Sequence, residues 1–295
     1  MEIHMASMEN ITCWAFRKLC KGASDSYTGM LSLTNLIKRN NTWEEIDTFP
    51  IEGQKQWIQV ITSKEVECAA FLQRLEEEIK NHPEKDNVYG IQLNASCPSS
   101  DLIRIGQGPA LIKRPTKVCN LIKELLKQDK YKVGIKLRLG LNELEVEERR
   151  IFTLFRELEK IAKDNPNFTN VTIHLKHAQA NSSDKYDYSF LKELATYNLP
   201  LIINGGIKTS EDIKKLIALV APENRKNIQG VMLARQALKN PNCFLELGKD
   251  IDGSPLSLRS SKDLALEFAE LCKQHRPPEI YLKTIEENLK FNPVG

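Results

Sequence analysis

The feature that most constrains the fold is a regular alternation of short β-rich runs with longer amphipathic stretches. The strand-like runs lie at residues 2–5, 25–29, 57–62, 89–94, 133–137, 171–175, 201–204 and 230–233. Helical periodicity follows most of them, most clearly at residues 64–80, 117–128, 143–163, 189–197 and 210–219. A doubly wound open sheet usually has about five to seven strands, so eight units predict a TIM (β/α)8 barrel of the α/β class.

Two of the helices carry start signals. Ser63 precedes Glu65 and Glu67, and Ser210 precedes Glu211 and Asp212. A hydroxyl at the N-cap accepts a free backbone N–H, and carboxylates in the first turn interact favourably with the helix dipole. The pattern therefore predicts N-caps at Ser63 and Ser210.

The alternation stops after Pro241, and two helical patterns follow at residues 261–275 and 279–291. We expect a catalytic barrel of residues 1–241 and a small helical appendage of residues 242–295. The appendage has seven basic and nine acidic residues, so of the net charge of +3 it carries −2 and the barrel +5. Any basic surface therefore lies mainly on the barrel.

Composition narrows the class of protein. The seven cysteines are odd in number and form no C-x-x-C pair, which favours free thiols over disulfides or a zinc site. The N-terminus lacks a signal-peptide pattern, and no apolar run of about eighteen residues occurs. We expect a cytoplasmic monomer with no membrane span and no metal, whose modest positive charge permits an RNA partner without requiring one.

In a TIM barrel the chemistry lies on the loops at the carboxyl ends of the strands. That rule selects a set of residues that follow strands: Ser7, Met8, Asn94, Cys97, Arg138, His177, Gly205, Gly206, Ala234 and Arg235. The last two strands end in Asn204-Gly205-Gly206 and in Ala234-Arg235. Glycines let backbone N–H groups approach a phosphate, and arginine adds a charged hydrogen bond. We expect a phosphorylated ligand there.

Three other strand ends carry candidate groups. Cys97 lies in a long loop after the fourth strand, where binding or catalytic residues are common. Lys136 and Arg138 share one face of the fifth strand, and we expect both to face an anionic ligand in the upper barrel, with a structural ion pair as the alternative. The sixth strand ends in His174, Lys176 and His177, which are reasonable phosphate or substrate ligands. No role is assigned to His4, His82 or His275.

Several segments together form a recognisable pattern. They are Ala6-Ser7-Met8, Ile11-Thr12, Phe16-Arg17, Gln59, Asn94-x-x-Cys97-Pro98, Gly106-x-Gly108, Lys136-x-Arg138-x-Gly140, His174, Asn204-Gly205 and Gly230-Val231-Met232-x-x-Arg235. In this order, over residues 2–241, the chain resembles the tRNA-dihydrouridine synthases, which are FMN-dependent TIM-barrel enzymes. Each segment is weak alone, but their joint order is specific.

The resemblance implies a reaction in which NADPH reduces FMN and the flavin passes hydride to C6 of a uracil flipped out of tRNA. Cys97 would protonate C5, since a thiol with a reference pKa near 8.5 is mostly protonated at neutral pH. The implied cofactor-binding residues are Ser7, Met8, Gln59, Lys136, His174, Asn204, Gly205, Gly206, Ala234 and Arg235. The implied substrate-binding residues are Asn94, Arg138, Lys176 and His177.

The chain departs from the family pattern at four points. Ser7 stands where proline is usual, Ala95-Ser96 where glycine is typical, Lys176 where arginine is found and Gly206 where aspartate is found. The appendage is also shorter than usual and slightly acidic, so recognition of tRNA is the expectation that the resemblance supports least.

Other functions stay open at this point. Asn94-x-Ser96-Cys97-Pro98 also resembles a motif of dihydroorotate dehydrogenases, although there an asparagine follows the proline and here Ser99 does. From another class, Lys136 could be the Schiff-base amine of a phosphate-binding lyase. A flavin-binding or RNA-binding barrel without catalysis is the third alternative.

Overall fold

The computed structural model describes residues 1–253 and 257–290. Within them the strands are β1 Glu2–Met5, β2 Asp25–Tyr27, β3 Leu31–Ser32, β4 Lys55–Ile61, β5 Val88–Ala95, β6 Lys132–Arg138, β7 Phe168–His174, β8 Leu201–Asn204 and β9 Ile228–Leu233. All pairings are parallel, in the order β2-β1-β9-β8-β7-β6-β5-β4-β3. A further pairing between β2 and β4 closes eight strands into a barrel, with β3 added at the end of β4. The predicted TIM barrel is confirmed.

The helices cover the outside of the barrel. They are α1 Trp14–Leu19, α2 Leu33–Lys38, α3 Glu65–Asn81, α4 Ser100–Arg104, α5 Pro115–Leu125, α6 Glu143–Glu147, α7 Arg150–Asp164, α8 Ser189–Leu194, α9 Ser210–Ala218, α10 Arg235–Lys239, α11 Cys243–Asp252, α12 Ser261–Gln274 and α13 Glu279–Lys290. Short 3-10 helices lie at Asn40–Glu45, Pro83–Lys85, Gly108–Leu111 and Pro222–Asn227. The predicted end of the last helix, Phe291, lies outside the described residues.

Local geometry corrects three predictions. The helix predicted over residues 143–163 is two helices, because Arg149 has a left-handed φ of 55°. Ser63 is not an N-cap: α3 begins one residue later, and the Thr62 hydroxyl accepts the N–H of Lys64 at 3.0 Å. Thr209, rather than Ser210, caps α9 in a reciprocal capping box with its third helical residue.

The segment after Pro241 contains a helix that the sequence pattern did not indicate. Helix α11 packs on α9 and α10 of the barrel layer. Helix α12 packs on α1, and α13 packs on α12 and α10. The C-terminal helices therefore lie directly against the outer layer of the barrel.

The apolar core lies mainly between the barrel and its helices. A separate small cluster of Ala6, Tyr27, Trp57, Ile202 and Met232 fills part of the barrel interior. The rest of that interior is lined by polar side chains, whereas bulky branched apolar side chains usually fill the interior of a TIM barrel. The polar side chains nearest the carboxyl ends of the strands form the floor of the site.

Candidate functional site

The loop after β5 is held by one side chain at the end of that strand. Asn94 is 5 % exposed, and its Oδ1 accepts the backbone N–H groups of Ser96 at 2.8 Å and Cys97 at 2.9 Å. On the other side, Gly108 has a φ of 59°, and a Cβ there would lie 2.8 Å from the Cys97 carbonyl oxygen. The partly exposed Cys97 is therefore fixed from both sides at the carboxyl face of the barrel.

The two basic residues of β6 face this loop. Lys136 Nζ donates to Ser96 Oγ at 3.3 Å, and Arg138 Nε donates to the Ser96 carbonyl oxygen at 2.7 Å. Arg138 Nη1 also donates to the His177 carbonyl oxygen at 3.1 Å. Burial lowers the pKa of Lys136 to about 8, with the Arg138 charge adding to the shift. Neither residue has an ion-pair partner among the described residues, so an anion can lie beside them.

Two amides join Asn94 at the floor of the site. Asn94 Nδ2 donates to Gln59 Oε1 at 2.7 Å, and Gln59 Nε2 donates to Gln92 Oε1 at 2.7 Å. Each atom of the Gln59 amide keeps one further hydrogen-bonding position, because the nitrogen has two hydrogens and the oxygen two lone pairs. Gln59 can therefore bind a ligand in the upper barrel while its orientation is held from below.

The ends of β7, β8 and β9 enclose a cavity of about 470 Å³. Its lining includes His174, Asn204, Gly205, Gly206, Lys208, Ala234 and Arg235. Asn204 Nδ2 donates to the Met232 carbonyl oxygen at 2.8 Å, so its Oδ1 accepts from His174 Nδ1, also at 2.8 Å. His174 Nε2 is then left for a ligand.

The electrostatics of this cavity favour an anion. Burial, together with the nearby charges of Lys136 and Arg138, lowers the pKa of His174 to about 3. Arg235 is exposed at the rim, with no ion pair in the described part of the chain. Gly205 and Gly206 both have positive φ, 112° and 75°, which glycine adopts without strain, and both line the cavity.

Two tyrosines pack on the glycine turn. A Cβ at Gly205 would lie 2.4 Å from Tyr186 Cε1, and one at Gly206 would lie 2.2 Å from Tyr188 Oη. Tyr188 Oη donates to the Gly205 carbonyl oxygen at 3.3 Å. The space that an aspartate at position 206 would need is thus filled by Tyr188, which explains this departure from the family pattern.

The remaining predicted residues lie at the same face but differ in their contacts. Lys176 is buried, and its Nζ donates to the carbonyl oxygens of Asn181 and Ser182, both at 3.1 Å, so it holds its own loop. Within residues 1–253 and 257–290, the buried Nδ1 of His177 has no hydrogen-bond partner. Ser7 and Met8 follow β1, where the Met8 N–H donates to Thr12 Oγ1 at 3.2 Å.

Sequence reasoning missed three residues that shape the site: Ser96, Tyr186 and Gln92. Gln92 had a usable signal, because it stands two residues before Asn94 in a strand and so shares its face. Ser96 bonds to both basic side chains of β6, and Tyr186 packs on the glycine turn. Nothing in the local sequence indicates those two contacts.

The fold and the site define a TIM-barrel protein with an anion-binding cavity and a cysteine-bearing loop at the carboxyl face. A family model described as dihydrouridine synthase (Dus) matches residues 4–290. The match covers nearly the whole chain, so the protein belongs to the dihydrouridine synthase family.

Curated relatives carry consistent names. The tRNA-dihydrouridine(47) synthase of Meyerozyma guilliermondii is 24% identical over 284 residues, covering 88% of this chain and 43% of that protein. A tRNA-dihydrouridine(47) synthase-like protein of Homo sapiens is 22% identical, covering 93% of this chain and 39% of the relative. The tRNA-dihydrouridine(20) synthase of Saccharomyces cerevisiae is 26% identical, covering 58% and 43%. The chain spans about two fifths of the length of these relatives.

Among solved structures, a GH18 chitinase from Pseudoalteromonas aurantia matches with a TM-score of 0.53 at 12% identity, over 85% of this chain and 100% of the chitinase chain. At this identity the likeness concerns the fold alone. No helix in residues 1–253 or 257–290 is long and apolar enough to cross a membrane.

Proposed function

We propose that the protein reduces uridine to 5,6-dihydrouridine in tRNA, with FMN as its cofactor and NADPH as the reductant. Family membership and the relatives' names, which specify tRNA and NAD(P)(+), support this reaction. The observation that carries it is the arrangement of Cys97 opposite Lys136 and Arg138, beside an anion cavity at the same end of the barrel.

The residues present fit FMN. A Cβ at Gly205 or Gly206 would fill the cradle between the turn and the tyrosines, so only glycines leave the backbone N–H groups accessible to a phosphate. Arg235 would complete that phosphate site. Asn204 would orient His174, whose unprotonated Nε2 can only accept a hydrogen bond and would therefore bind a hydroxyl of the ribityl chain rather than a phosphate oxygen. Lys136 and the free positions of Gln59 would bind the polar edge of the ring system. Ala234, Ser7 and Met8 would line the remaining rim.

When bound, FMN supplies the hydride that saturates C6 of the uracil, and NADPH supplies the two electrons. Cys97 holds the matching proton at Sγ and delivers it to C5, so that the C5=C6 double bond is reduced without a charged product. Asn94 fixes the Cys97 backbone, and Ser96 links Lys136 and Arg138 to the same loop. A rigid loop matters because proton transfer requires hydrogen-bond distance between Sγ and C5.

Recognition of the nucleotide would use polar groups around Cys97. Asn94, Arg138 and His177 lie at the loop and offer donors to a uracil or its phosphate, and the buried unpaired Nδ1 of His177 is one such group. Lys176 would act indirectly, by holding residues 181 and 182 in place. A flipped base loses its stacking and pairing, so a single-stranded loop of tRNA is the expected target.

The test is a flavin spectrum. Purified protein supplied with FMN is reduced by NADPH without oxygen and mixed with unmodified tRNA transcript, and return of the oxidised band supports the proposal. Cys97→Ala should keep FMN binding and reduction but lose rapid reoxidation by tRNA. Cys272→Ala is the matched control, since Cys272 is the other partly exposed cysteine and lies on α12. Equal reoxidation in wild type and Cys97→Ala would refute the role of Cys97.

One observation favours a second candidate, a Schiff-base lyase. A lysine whose pKa is lowered to about 8 by burial has the partly neutral amine that carbonyl attack requires. Borohydride with a phosphorylated carbonyl substrate would then trap Lys136, and no flavin band would appear even after FMN is added. A flavin that binds but stays reduced with tRNA would instead favour a dihydroorotate-type reaction or a barrel without catalysis.

A further inference from the structure

A continuous row of buried polar side chains runs through the barrel below the site. Its upper part is the floor already described, in which Asn94 donates to Gln59 and Gln59 donates to Gln92. Gln92, which is fully buried, then donates through Nε2 to Asn170 Oδ1 at 3.3 Å and to Thr172 Oγ1 at 3.2 Å. The row therefore crosses from β4 and β5 to β7.

The lower part reaches the opposite end of the barrel. Asn170 Nδ2 donates to Tyr27 Oη at 2.6 Å, and Tyr27 Oη lies 2.9 Å from His4 Nδ1. His4 Nε2 lies 3.1 Å from Glu2 Oε2, where the side chains meet a second cavity. Asn170, Tyr27 and His4 are each at most 1 % exposed. We call the row from Asn94 through Gln59, Gln92, Asn170 and Tyr27 to His4 the amide ladder.

A glycine makes the central crossing possible. Gln92 on β5 and Asn170 on β7 are both in register with Gly134 on the strand between them. A Cβ at Gly134 would lie 2.8 Å from Asn170 Cβ. With no side chain at this position, Gln92 reaches over β6 to Asn170.

The amide ladder has one polarity. At every step the group nearer the site donates and the group nearer the base accepts, from the Cys97 N–H through Asn94, Gln59 and Gln92 to Asn170 and Tyr27. Reversal of any one amide would place two nitrogens or two oxygens face to face. An unmatched buried polar group costs about 1–3 kcal/mol, so each amide orients the next.

The base of the amide ladder is compatible with this polarity. Since Tyr27 Oη accepts from Asn170, its own hydrogen is available for His4 Nδ1, and His4 Nε2 then carries the proton that it donates to Glu2. Glu2, His4 and Asp25 each place a ligand atom within 4.8 Å of the others, and Asp25 Oδ2 has no hydrogen bond to any residue that the structure describes. A metal at these three residues would need His4 Nε2 without its proton. His4 Nδ1 would then carry the proton, and the hydroxyl hydrogen of Tyr27 would have no acceptor there.

We propose that Gln92 is a positioning residue that fixes the amide orientations of Gln59 and Asn94, and through Asn94 Oδ1 the backbone of Cys97. The role assigned to Cys97 rests on the proposed function, but the positioning itself needs neither FMN nor tRNA. Gln92 touches no reacting group, and its effect passes entirely through the two amides above it.

The test measures the alkylation rate of Cys97 by iodoacetamide in the full chain, followed at the peptide level by mass spectrometry, with urea unfolding alongside. Gln92→Leu removes the acceptor of Gln59 Nε2, so the Gln59 amide is held by Asn94 alone. The lost bond is worth about 1 kcal/mol, so a loosened loop should react roughly fivefold faster. In Gln92→Glu, an ionised carboxylate can only accept from Gln59 Nε2, and a protonated carboxyl group still has an oxygen that accepts. The Cys97 alkylation rate of this variant should therefore stay within about twofold of wild type.

The matched control is Gln56→Leu, because Gln56 is a buried glutamine of β4 that bonds to Arg17 and the Phe49 carbonyl oxygen outside the amide ladder. It should lose stability without changing the Cys97 rate. If Gln92 had a merely structural role, the order of the two rates would be reversed. The buried acid of Gln92→Glu would then raise the Cys97 alkylation rate at least as much as Gln92→Leu. Rates that follow the unfolding free energies, or that do not change in Gln92→Leu, would overturn the proposal.

A second pair of variants applies if Gln92→Leu does not fold. Gly134→Ala separates Gln92 from Asn170 but leaves the Gln59–Gln92 contact in place. The amide of residue 92 is then held from below by Thr172 alone, whose hydroxyl can donate as well as accept, so reversal becomes easier and the Cys97 rate should rise. Adding Gln92→Glu to Gly134→Ala should restore the slower rate, since a carboxyl group accepts in either orientation. An absence of restoration, or stoichiometric binding of Zn²⁺ or Mn²⁺ that Asp25→Asn removes, would contradict the polarity. Neither result depends on tRNA reduction, so failure of the proposed function is distinguishable.

Discussion

Replacement of Gly108 by alanine should slow proton transfer while a nearby glycine replacement should not. Gly108 and Gly106 both have positive φ, 59° and 77°. Left-handed backbone costs an L-residue about 1–2 kcal/mol, so both alanine variants should lose at least that much stability, and Gly108→Ala should lose more because its Cβ meets backbone. They differ in what the new Cβ meets: the Cys97 carbonyl oxygen at 2.8 Å for Gly108, and only the end of the Arg114 side chain at 3.3 Å for Gly106.

The displacement sets the size of the effect. Ordinary contact begins at 3.4 Å, so in Gly108→Ala the Cys97 carbonyl must move by about 0.6 Å. A misplacement of about 1 Å can cost roughly a hundredfold in rate, so a tenfold loss in the chemical step is expected. In Gly106→Ala the arginine end can swing away, and the rate should stay within about twofold of wild type.

Single-turnover reoxidation of the reduced flavin by tRNA measures this step, and urea unfolding measures the stability of both variants. We expect a loss of stability in both variants, larger in Gly108→Ala, and a substantial loss of rate in Gly108→Ala alone. Equal slowing in both variants would show that loop strain, rather than displacement of Cys97, controls the reaction. An unchanged rate in Gly108→Ala would show that Cys97 tolerates the displacement and that its position is not limiting.

Three further predictions concern charged groups. Arg17 is fully buried and bonds to Asp47, so Arg17→Met should lower the free energy of unfolding by about 3–5 kcal/mol, and a loss below 1 kcal/mol in urea would contradict this. A hydrogen bond from His4, with smaller contributions from Lys55, lowers the pKa of Glu2 from 4.5 to about 2 despite its burial. This carboxylate therefore adds stability above pH 4.5 that is lost as the pH falls toward 2. Glu2→Gln should make the free energy of unfolding less dependent on pH in that range. Lys136, with its pKa lowered to about 8, loses its charge above that pH, so FMN affinity should fall there, and Lys136→Arg should move the fall to higher pH in fluorescence titrations.

The barrel was predictable because its strands are short apolar runs whose type and spacing are local properties. Residues 2–5 and 201–204 were predicted with both ends as observed. The errors arise where local sequence does not decide. Arg149 breaks a strongly periodic helix through a left-handed backbone that arginine does not favour, and the side-chain oxygen nearest the start of α3 comes from Thr62 rather than Ser63.

The candidate site was predictable to the extent that it depends on strand ends. Cys97, Lys136, His174 and Arg235 were selected because a parallel barrel brings all carboxyl ends to one face. The contacts between them depend on cross-barrel register, which no single strand contains. Gln92 illustrates this: its hydrogen bond to Asn170 requires a glycine on β6 and an amide on β7 at the same level.

His4 is a second residue whose contacts could not be predicted from the sequence. Alone in the sequence it follows no motif, and no role was assigned to it. In the barrel it is 1 % exposed and lies between Tyr27 and Glu2, at the base of the amide ladder. The structural role of this histidine therefore depends on its hydrogen-bond partners, which its own strand sequence does not indicate.

The departure from the family pattern at position 206 is explained by Gly206 and Tyr188 together. An aspartate there would adopt a φ of 75° and meet the Tyr188 hydroxyl at 2.2 Å, so this chain cannot accept it while Tyr188 stays in place. Glycine costs nothing at that φ and keeps the backbone N–H groups of the turn open to an anion. Tyr188 in turn donates to the Gly205 carbonyl oxygen and fixes the turn from outside. The lost carboxylate also removes a negative charge from a cavity whose cationic lining favours phosphate, so the departure strengthens rather than weakens the case for an anionic ligand.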